Sequence, residues 1–176
     1  NFSEQKIIST QAIRASFVYA ADLNNDGNID VVSTSGEEGK IAWYENDGLG
    51  NFSEEQVIST LNEYAAIYFY VSDLDSDGDI DILSAYWFFN KLVWYKNDGA
   101  GNFSEEQIIS TQVNTPFDVY TIDLDHDSDM DVIYISTSNS KVAWYENDGL
   151  GNFSEEQIIS TQINDGKAVY AADLDS

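Results

Sequence analysis

Aspartate residues recur in this chain at a spacing that could bind a metal ion. A nine-residue segment with Asp at both ends occupies residues 22–30, 73–81 and 123–131, and it begins again at residue 173. Within each segment, oxygen-bearing side chains stand at alternate positions, and the first two copies have glycine at the bend. A short loop that wraps a hard divalent cation requires this arrangement. The sequence therefore predicts three calcium-binding loops.

The expected cofactor is Ca²⁺, with one ion in each complete loop. Positions 1, 3, 5 and 9 would supply side-chain oxygens, and position 7 would supply a backbone carbonyl. The predicted ligands are Asp22, Asn24, Asp26, Asn28 and Asp30 in the first loop, Asp73, Asp75, Asp77, Asp79 and Asp81 in the second, and Asp123, Asp125, Asp127, Asp129 and Asp131 in the third. Asp173 and Asp175 begin a fourth loop, which would hold a fourth ion if it were completed.

Two other repeat families share part of this pattern. An EF-hand needs a bidentate Glu at position 12 and flanking helices, but position 12 is Ser33, Ser84 or Tyr134 here. Kelch repeats need a Gly-Gly pair, and the sequence has none. Acidic turns without metal are the remaining alternative, and three aligned copies argue against it. Since each short loop would coordinate its own ion, we expect the metal to be structural.

The charge of the chain limits its partners. The formal net charge is −25, from 32 Asp and Glu against 7 Lys and Arg. Nucleic acids and anionic membranes are bound through clusters of basic residues, so we expect neither as a partner. No apolar run approaches the length of a membrane span, so no membrane insertion is expected.

The composition also indicates a location and argues against catalysis. Weak calcium loops fill at the millimolar concentrations found outside cells, which predicts a secreted or cell-surface protein. The sequence has no cysteine and one histidine. Because nothing in it supports nucleophilic catalysis, we expect that the protein is not an enzyme.

The loops need rigid elements on both sides, and each repeat contains four segments of strand composition. These segments are rich in β-branched and aromatic residues and are bounded by Gly, Asn and Asp. The predicted strands are 17–21, 68–72, 118–122 and 168–172 before the loop, 29–33, 80–84 and 130–134 after it, then 40–45, 91–96 and 141–146, and finally 52–60, 103–111 and 153–161. An Asn-Asp-Gly turn joins the last two strands of each repeat.

Four antiparallel strands that recur every 50 or 51 residues predict an all-β fold. The chain, 1–176, is expected to form a single segment of a β-propeller with four-stranded antiparallel blades. Full blades are predicted at 15–60, 66–111 and 116–161, with the outer strand of a preceding blade at 1–10 and the first strand of a truncated blade at 166–176. Since a closed propeller uses about 4–8 blades, further blades must come from missing sequence or another chain.

The repeat resembles a known family. The run Asp-Leu-Asp-x-Asp-Gly-Asp-Ile-Asp, followed by Trp-Tyr-x-Asn-Asp-Gly-x-Gly-Asn-Phe, is similar to the FG-GAP/VCBS repeats of secreted bacterial proteins. Those repeats are related to the blades of the integrin α-subunit propeller and of some fungal lectins. The resemblance implies a seven-bladed propeller with calcium between the first and second strands. The chain departs from the family in lacking Gly-Ala-Pro, and Ser128 replaces the bend glycine, which predicts a weaker third site.

A ligand surface is expected on the face opposite the calcium loops. The loops and the Asn-Asp-Gly turns are nearly identical between repeats, whereas the links between blades and the turns between second and third strands differ. Function tends to lie on the varied loops of a repeated scaffold. The candidate ligand-binding residues are Tyr86, Trp87, Phe88 and Phe89, which could stack on a sugar ring or anchor a protein, and more weakly Arg14 and Tyr64.

The leading functional hypothesis is adhesion or ligand binding, with an extracellular glycan or protein as the partner. One alternative is a structural repeat subunit of a surface stalk or filament. Another is an accessory domain of a secreted enzyme. Exposed aromatic side chains would favour the first hypothesis, and fully buried ones would favour the second.

Overall fold

The structure is a computed structural model that describes residues 4–61 and 67–174. In these residues the chain is all-β, with no helix and three four-stranded antiparallel sheets. The strands are β1 Ala15–Ala21, β2 Asp30–Ser35, β3 Lys40–Tyr44, β4 Gln56–Thr60, β5 Ile67–Ser72, β6 Asp81–Tyr86, β7 Lys91–Tyr95, β8 Gln107–Ser110, β9 Pro116–Ile122, β10 Asp131–Ser136, β11 Lys141–Tyr145 and β12 Gln157–Ser160. The prediction of four-stranded antiparallel blades is confirmed.

Each sheet is a meander in which sequential strands are neighbours. The sheets contain β1 to β4, β5 to β8 and β9 to β12, and we call them blades 1, 2 and 3. Their registers are equivalent: in blade 1, Tyr19 lies opposite Val32, and Val32 lies opposite Trp43. Because the side-chain period of a strand is two, this register gives every blade two apolar faces.

The blades pack face to face and share buried side chains. One core cluster joins Val32, Ile41 and Trp43 of blade 1 to residues of blade 2 that include Phe69 and Val93. A second cluster joins the opposite face of blade 2 to blade 3; its members include Leu74, Leu83, Trp94, Val119, Val132 and Tyr134. Blade 2 is therefore covered on both faces, as expected for stacked propeller blades.

Two contacts recur at the interfaces between blades. The Trp43 ring packs against Gly101 of blade 2, and the Trp94 ring packs in the same way against Gly151 of blade 3. The Asn97 side chain donates a 2.7 Å hydrogen bond to the Leu23 carbonyl of the preceding blade. Asn147 donates an equivalent 2.7 Å bond to Leu74. Blade stacking thus relies on both apolar packing and directional hydrogen bonds.

Tyrosines at equivalent positions form a row, in which three members lie in the first strands of the blades and the fourth, Tyr170, lies in the segment 168–172. Ring centroids of Tyr19 and Tyr70 are 5.1 Å apart, those of Tyr70 and Tyr120 are 4.8 Å apart, and those of Tyr120 and Tyr170 are 4.8 Å apart. These tilted and edge-on arrangements are the favourable geometries for aromatic pairs. The row fixes the spacing of adjacent blades at their first strands.

The strand predictions need correction at three places. In the described part of the N-terminal segment, 4–10, no strand forms, and none forms over 168–172. A strand requires backbone hydrogen bonds to a neighbouring strand, and neither segment forms this ladder within the described residues. The Val169 N–H donates instead to the Asp118 side chain at 2.9 Å. The fourth strand of each repeat is shorter than predicted, since Phe52, Phe103 and Phe153 form isolated bridges ahead of it.

The segment 7–11 nevertheless lies where the outer strand of another blade would lie. It lines a groove with Tyr44 and residues 52–55 of blade 1. Residues 108–112 line the corresponding groove with Tyr145 and residues 154–156 of blade 3. In the described ranges no helix has the length and apolarity to cross a membrane.

Candidate functional site

The predicted calcium loops connect the first and second strands of each blade, as the sequence indicates. The bend position has a left-handed backbone in every loop, with φ of 85° at Gly27, 94° at Gly78 and 82° at Ser128. Glycine adopts this conformation without steric cost, and serine does not. Ser128 therefore follows the same loop path at a steric cost. The weaker calcium affinity of the third loop stays a prediction.

The first aspartate organises the bend in each copy. A carboxylate oxygen of Asp22 accepts the Gly27 N–H at 2.9 Å, and one of Asp73 accepts the Gly78 N–H at 2.9 Å. The corresponding distance between Asp123 and the Ser128 N–H is 3.1 Å. In loops 1 and 3 the second oxygen also accepts a loop N–H, from Asp26 at 3.2 Å and from Asp127 at 3.1 Å, whereas in loop 2 a single oxygen holds the loop. These bonds bring the other side chains of each loop together.

The last aspartate of each loop is fully buried. Asp81 accepts the Leu74 N–H at 2.9 Å with one carboxylate oxygen and the Asn97 N–H at 2.8 Å with the other. Asp30 and Asp131 make the same two bonds in their own blades, at 2.8–3.1 Å. This carboxylate therefore links the predicted calcium loop to the end of the third strand.

Burial makes the charge on these carboxylates costly. Desolvation raises the pKa of Asp81 to about 7 and that of Asp131 to about 6, although two backbone N–H groups act in the opposite direction. The nearby carboxylates of Asp75 and Asp77 raise the pKa of Asp81 further. A cation among these oxygens would favour the ionised forms.

The carboxylates form two clusters within the described part of the chain. Carboxylate oxygens of Asp73, Asp75 and Asp81 lie within 4.8 Å of one another, and so do those of Asp123, Asp125 and Asp131. Loop 1 has Asn24 where loops 2 and 3 have Asp75 and Asp125, so it offers an amide oxygen at that position instead of a carboxylate oxygen. Oxygen donors gathered this closely suit a hard divalent cation such as Ca²⁺.

Loop 2 provides a further sign that the donors fit a metal. Among the described residues, one carboxylate oxygen of Asp73 and one of Asp75 are buried and have no hydrogen-bond partner. Only 8% of the Asp75 side chain is exposed. A buried carboxylate oxygen without a partner is costly, and a bound cation would satisfy both oxygens.

Position 7 of each loop uses its side chain for another contact. Asp79 lies against Gly99 of the Asn-Asp-Gly turn and accepts a 2.6 Å hydrogen bond from Asn25 of the preceding loop. Its backbone N–H donates to Asp77 at 3.0 Å. The predicted role of its carbonyl as a ligand stays a prediction. In the fourth segment, Asp173 falls within the described residues and Asp175 lies outside them.

Lys96 lies beside loop 2 and is not among the site residues predicted from the sequence. Its ammonium group contacts the carboxylates of Asp75 and Asp77, the latter at 2.9 Å. The residues at the same register in blades 1 and 3 are Glu45 and Glu146. This reversal of charge among otherwise similar third strands is the sequence signal that could have revealed it.

The candidate aromatic turn between β6 and β7 divides into a buried and an exposed part. Tyr86 is fully buried, and its hydroxyl lies 2.5 Å from that of Tyr95, so it belongs to the core rather than to a ligand surface. Trp87 is half-buried and packs edge-on against Phe88, with centroids 4.4 Å apart. Phe88 is 52% exposed and Phe89 is 42% exposed.

The two weaker ligand-binding candidates are Arg14 and Tyr64, and the structure describes only the first of them. Arg14 is exposed and precedes β1, and its carbonyl accepts the N–H of Gly36 in the β2–β3 turn at 3.3 Å. It therefore lies at the same end of blade 1 as the aromatic turn occupies in blade 2. Tyr64 lies outside the described residues.

Three meander sheets that stack through a repeated interface define a β-propeller-like repeat protein. The profile of the FG-GAP-like repeat matches residues 22–84, 73–134 and 127–176. The chain therefore belongs to the FG-GAP-like repeat family, which confirms the resemblance found in its sequence. No curated protein sequence matches it significantly.

A solved structure shows a similar fold. A lectin from Agrocybe aegerita, described as specifically recognising non-reducing terminal N-acetylglucosamine, superimposes with a TM-score of 0.62 at 20% sequence identity. The alignment covers 84% of this chain and 38% of the lectin chain. At this identity the similarity shows the fold alone, and this chain spans well under half of the lectin's length.

Proposed function

We propose that the protein is an extracellular, calcium-binding β-propeller repeat module that binds a glycan or a protein and has no catalytic role. The observation that carries the calcium assignment is the set of buried carboxylate oxygens in loop 2 that have no partner among the described residues. FG-GAP-like repeats at all three loops support the same role. The similar lectin fold and the exposed aromatic turn support glycan binding.

Calcium would act on the fold rather than on the ligand. Loops 2 and 3 each gather their own set of carboxylate oxygens, and the last aspartate of every loop is buried and bonded to the blade. Ions that bind the folded loops and not the unfolded chain stabilise the fold by mass action. We infer that the calcium loops hold the blades in place and that the opposite end presents the ligand surface.

Substitution of Asp77 tests the metal assignment. We expect Asp77→Ala to lower the melting temperature more in millimolar calcium than in chelator, where only its contacts with Lys96 and the Asp79 N–H are lost. The lost ion contributes about 1.4 kcal/mol when calcium is at ten times its dissociation constant, or roughly 3–6 °C for a chain of this size. Thermal unfolding in both buffers measures the effect.

Asp98→Ala is the matched control in the same blade. Asp98 is exposed and accepts the backbone N–H groups of Ala100 and Asn102 in the turn, at 3.0 and 3.2 Å. Its loss should lower the melting temperature equally in calcium and in chelator. If Asp77→Ala also had equal effects in the two buffers, the assignment of Asp77 as a ligand would be wrong.

The ligand surface is the exposed part of the aromatic turn. Phe88 and Phe89 project at the end of blade 2 opposite its calcium loop, and exposed aromatic rings of this kind stack on sugar rings. We expect the chain to bind a glycan on an array that includes terminal N-acetylglucosamine, and Phe88→Ala to reduce that binding at least tenfold.

Leu150→Ala provides the control for this experiment. Leu150 is also an exposed apolar residue, but it lies in the Asn-Asp-Gly turn at the calcium end of blade 3. Its substitution should leave glycan binding unchanged. Absence of binding to any glycan or matrix protein would reject the ligand-binding role, while the calcium assignment would still be tested by the melting experiment.

A further inference from the structure

The three calcium loops share a ligand pattern but differ in the charge that lies next to them. The residue after the Trp-Tyr pair of the third strand is Glu45 in blade 1, Lys96 in blade 2 and Glu146 in blade 3. In blade 1 this residue reaches the loop, since Glu45 accepts a 3.3 Å hydrogen bond from Asn24 at position 3. The register therefore places this side chain beside the predicted ligands.

Lys96 makes closer contacts than its counterparts. Its ammonium group bridges the carboxylates of Asp75 and Asp77, which are the predicted ligands at positions 3 and 5. In blade 3, by contrast, Glu146 accepts a 3.1 Å hydrogen bond from Gln157 of the fourth strand. Only loop 2 thus has a cationic side chain among the described residues that touch its ligands.

The formal charge around the loops differs as a result. Counted over the side-chain ligand positions 1, 3, 5 and 9, loop 2 combines four aspartates with Lys96, for a charge of −3. Over the same positions, loop 1 combines three aspartates with Glu45, for −4, and loop 3 combines four aspartates with Glu146, for −5. A positive charge a few ångströms from a bound dication opposes binding even when the solvent screens most of the interaction.

The ammonium group does not use all of the oxygens in loop 2. The Asp75 oxygen that contacts Lys96 is not the one that is buried without a partner, and Asp73 also keeps a free buried oxygen in the described structure. The loop therefore retains donors for calcium while part of its charge is already neutralised.

We propose that Lys96 is an internal competitor for calcium at loop 2, which lowers the calcium affinity of this loop about tenfold and stabilises blade 2 when calcium is scarce. This inference rests on the proposed calcium role of the loops. With Lys96 in place, loop 2 fills at a higher calcium concentration than the same aspartates would require without the lysine.

Lys96→Gln tests the proposal in the full chain by two measurements. Calcium affinity is expected to rise, and the melting temperature in chelator is expected to fall. Isothermal titration with calcium should show the affinity of one site raised about tenfold relative to the unmodified chain. In chelator, the same variant should melt at a lower temperature, because Asp75 and Asp77 lose their counter-ion. A lysine with a merely structural role would lower the melting temperature without raising any calcium affinity.

Lys91→Gln is the matched control. Lys91 is the first residue of β7, at the other end of the strand from Lys96, and it pairs with Glu106 at 2.5 Å rather than with the calcium loop. Its substitution should leave all calcium affinities unchanged. The reciprocal variant Glu45→Lys should weaken one site about tenfold or more, and it decides the question if Lys96→Gln fails to fold.

The outcomes separate this inference from the proposed function. An unmodified chain that binds calcium, with affinities unaltered in both Lys96→Gln and Glu45→Lys, overturns the role of Lys96 and leaves the calcium loops in place. An unmodified chain that binds no calcium overturns the proposed function itself.

Discussion

Asp81→Ala is expected to lower the free energy of unfolding by about 2–4 kcal/mol in chelator as well as in calcium. The carboxylate is fully buried and accepts the N–H groups of Leu74 and Asn97. Alanine leaves both groups buried without an acceptor, and each costs about 1–3 kcal/mol. Removal of a buried charge offsets part of this loss, because desolvation already raises the pKa of Asp81 to about 7.

Asp77→Ala is the variant with which Asp81→Ala should be compared. Both residues are predicted ligands of the same ion, but Asp77 is exposed and Asp81 is part of the blade. Urea unfolding of both variants in chelator measures the difference. Asp81→Asn keeps one acceptor and should recover part of the loss. A cost below about 1 kcal/mol for Asp81→Ala in chelator would show that the two hydrogen bonds contribute little to stability.

Gly151→Ala is expected to destabilise the protein by about 2–4 kcal/mol. A Cβ at this position would overlap the Trp94 ring, which is buried between blades 2 and 3. The backbone also has φ of +75°, a conformation that alanine adopts only at a cost. The ring cannot retreat easily because it is packed among Leu83, Leu92 and other side chains of the second core cluster.

Gly50→Ala separates the two contributions. Gly50 has φ of +77° and occupies the same place in its turn, but the nearest atom to its Cβ position is the Lys6 ammonium nitrogen at 3.5 Å. Its substitution should therefore carry the backbone cost, about 1 kcal/mol, without the collision. Chemical denaturation of both variants gives the difference. Equal losses would show that the Trp94 contact does not hold the blades together.

Much of the fold was predictable because the same residues recur in the same order. The register of every blade is fixed by the same cross-strand set, which in blade 1 is Tyr19, Val32 and Trp43. Alternation of apolar residues on two faces of each strand predicts that the sheets stack. The absence of a strand over 168–172 was not predictable, because a strand depends on a neighbour that local composition does not reveal. The fourth strand of each repeat was predicted to begin too early, at Phe52, Phe103 or Phe153, for the same reason.

The candidate site was predictable in part. Spacing alone identified the aspartates of the loops, since their chemistry depends on local order along the chain. It could not show that Tyr86 turns into the core while Phe88 stays at the surface, because neighbouring residues of one turn differ only in which side of the sheet they reach. Lys96 was missed because its partners, Asp75 and Asp77, lie 19–21 residues earlier in the chain.

The contacts between blades also bear on how such chains change over evolution. Asn97 reaches Leu23, and Asn147 reaches Leu74, so each interface pairs the same two positions of consecutive repeats. Trp43 with Gly101 and Trp94 with Gly151 follow the same rule. Duplication or deletion of one whole repeat by unequal recombination would therefore create no new kind of interface. A substitution at Trp94 or Gly151, by contrast, must be matched by its partner one repeat away.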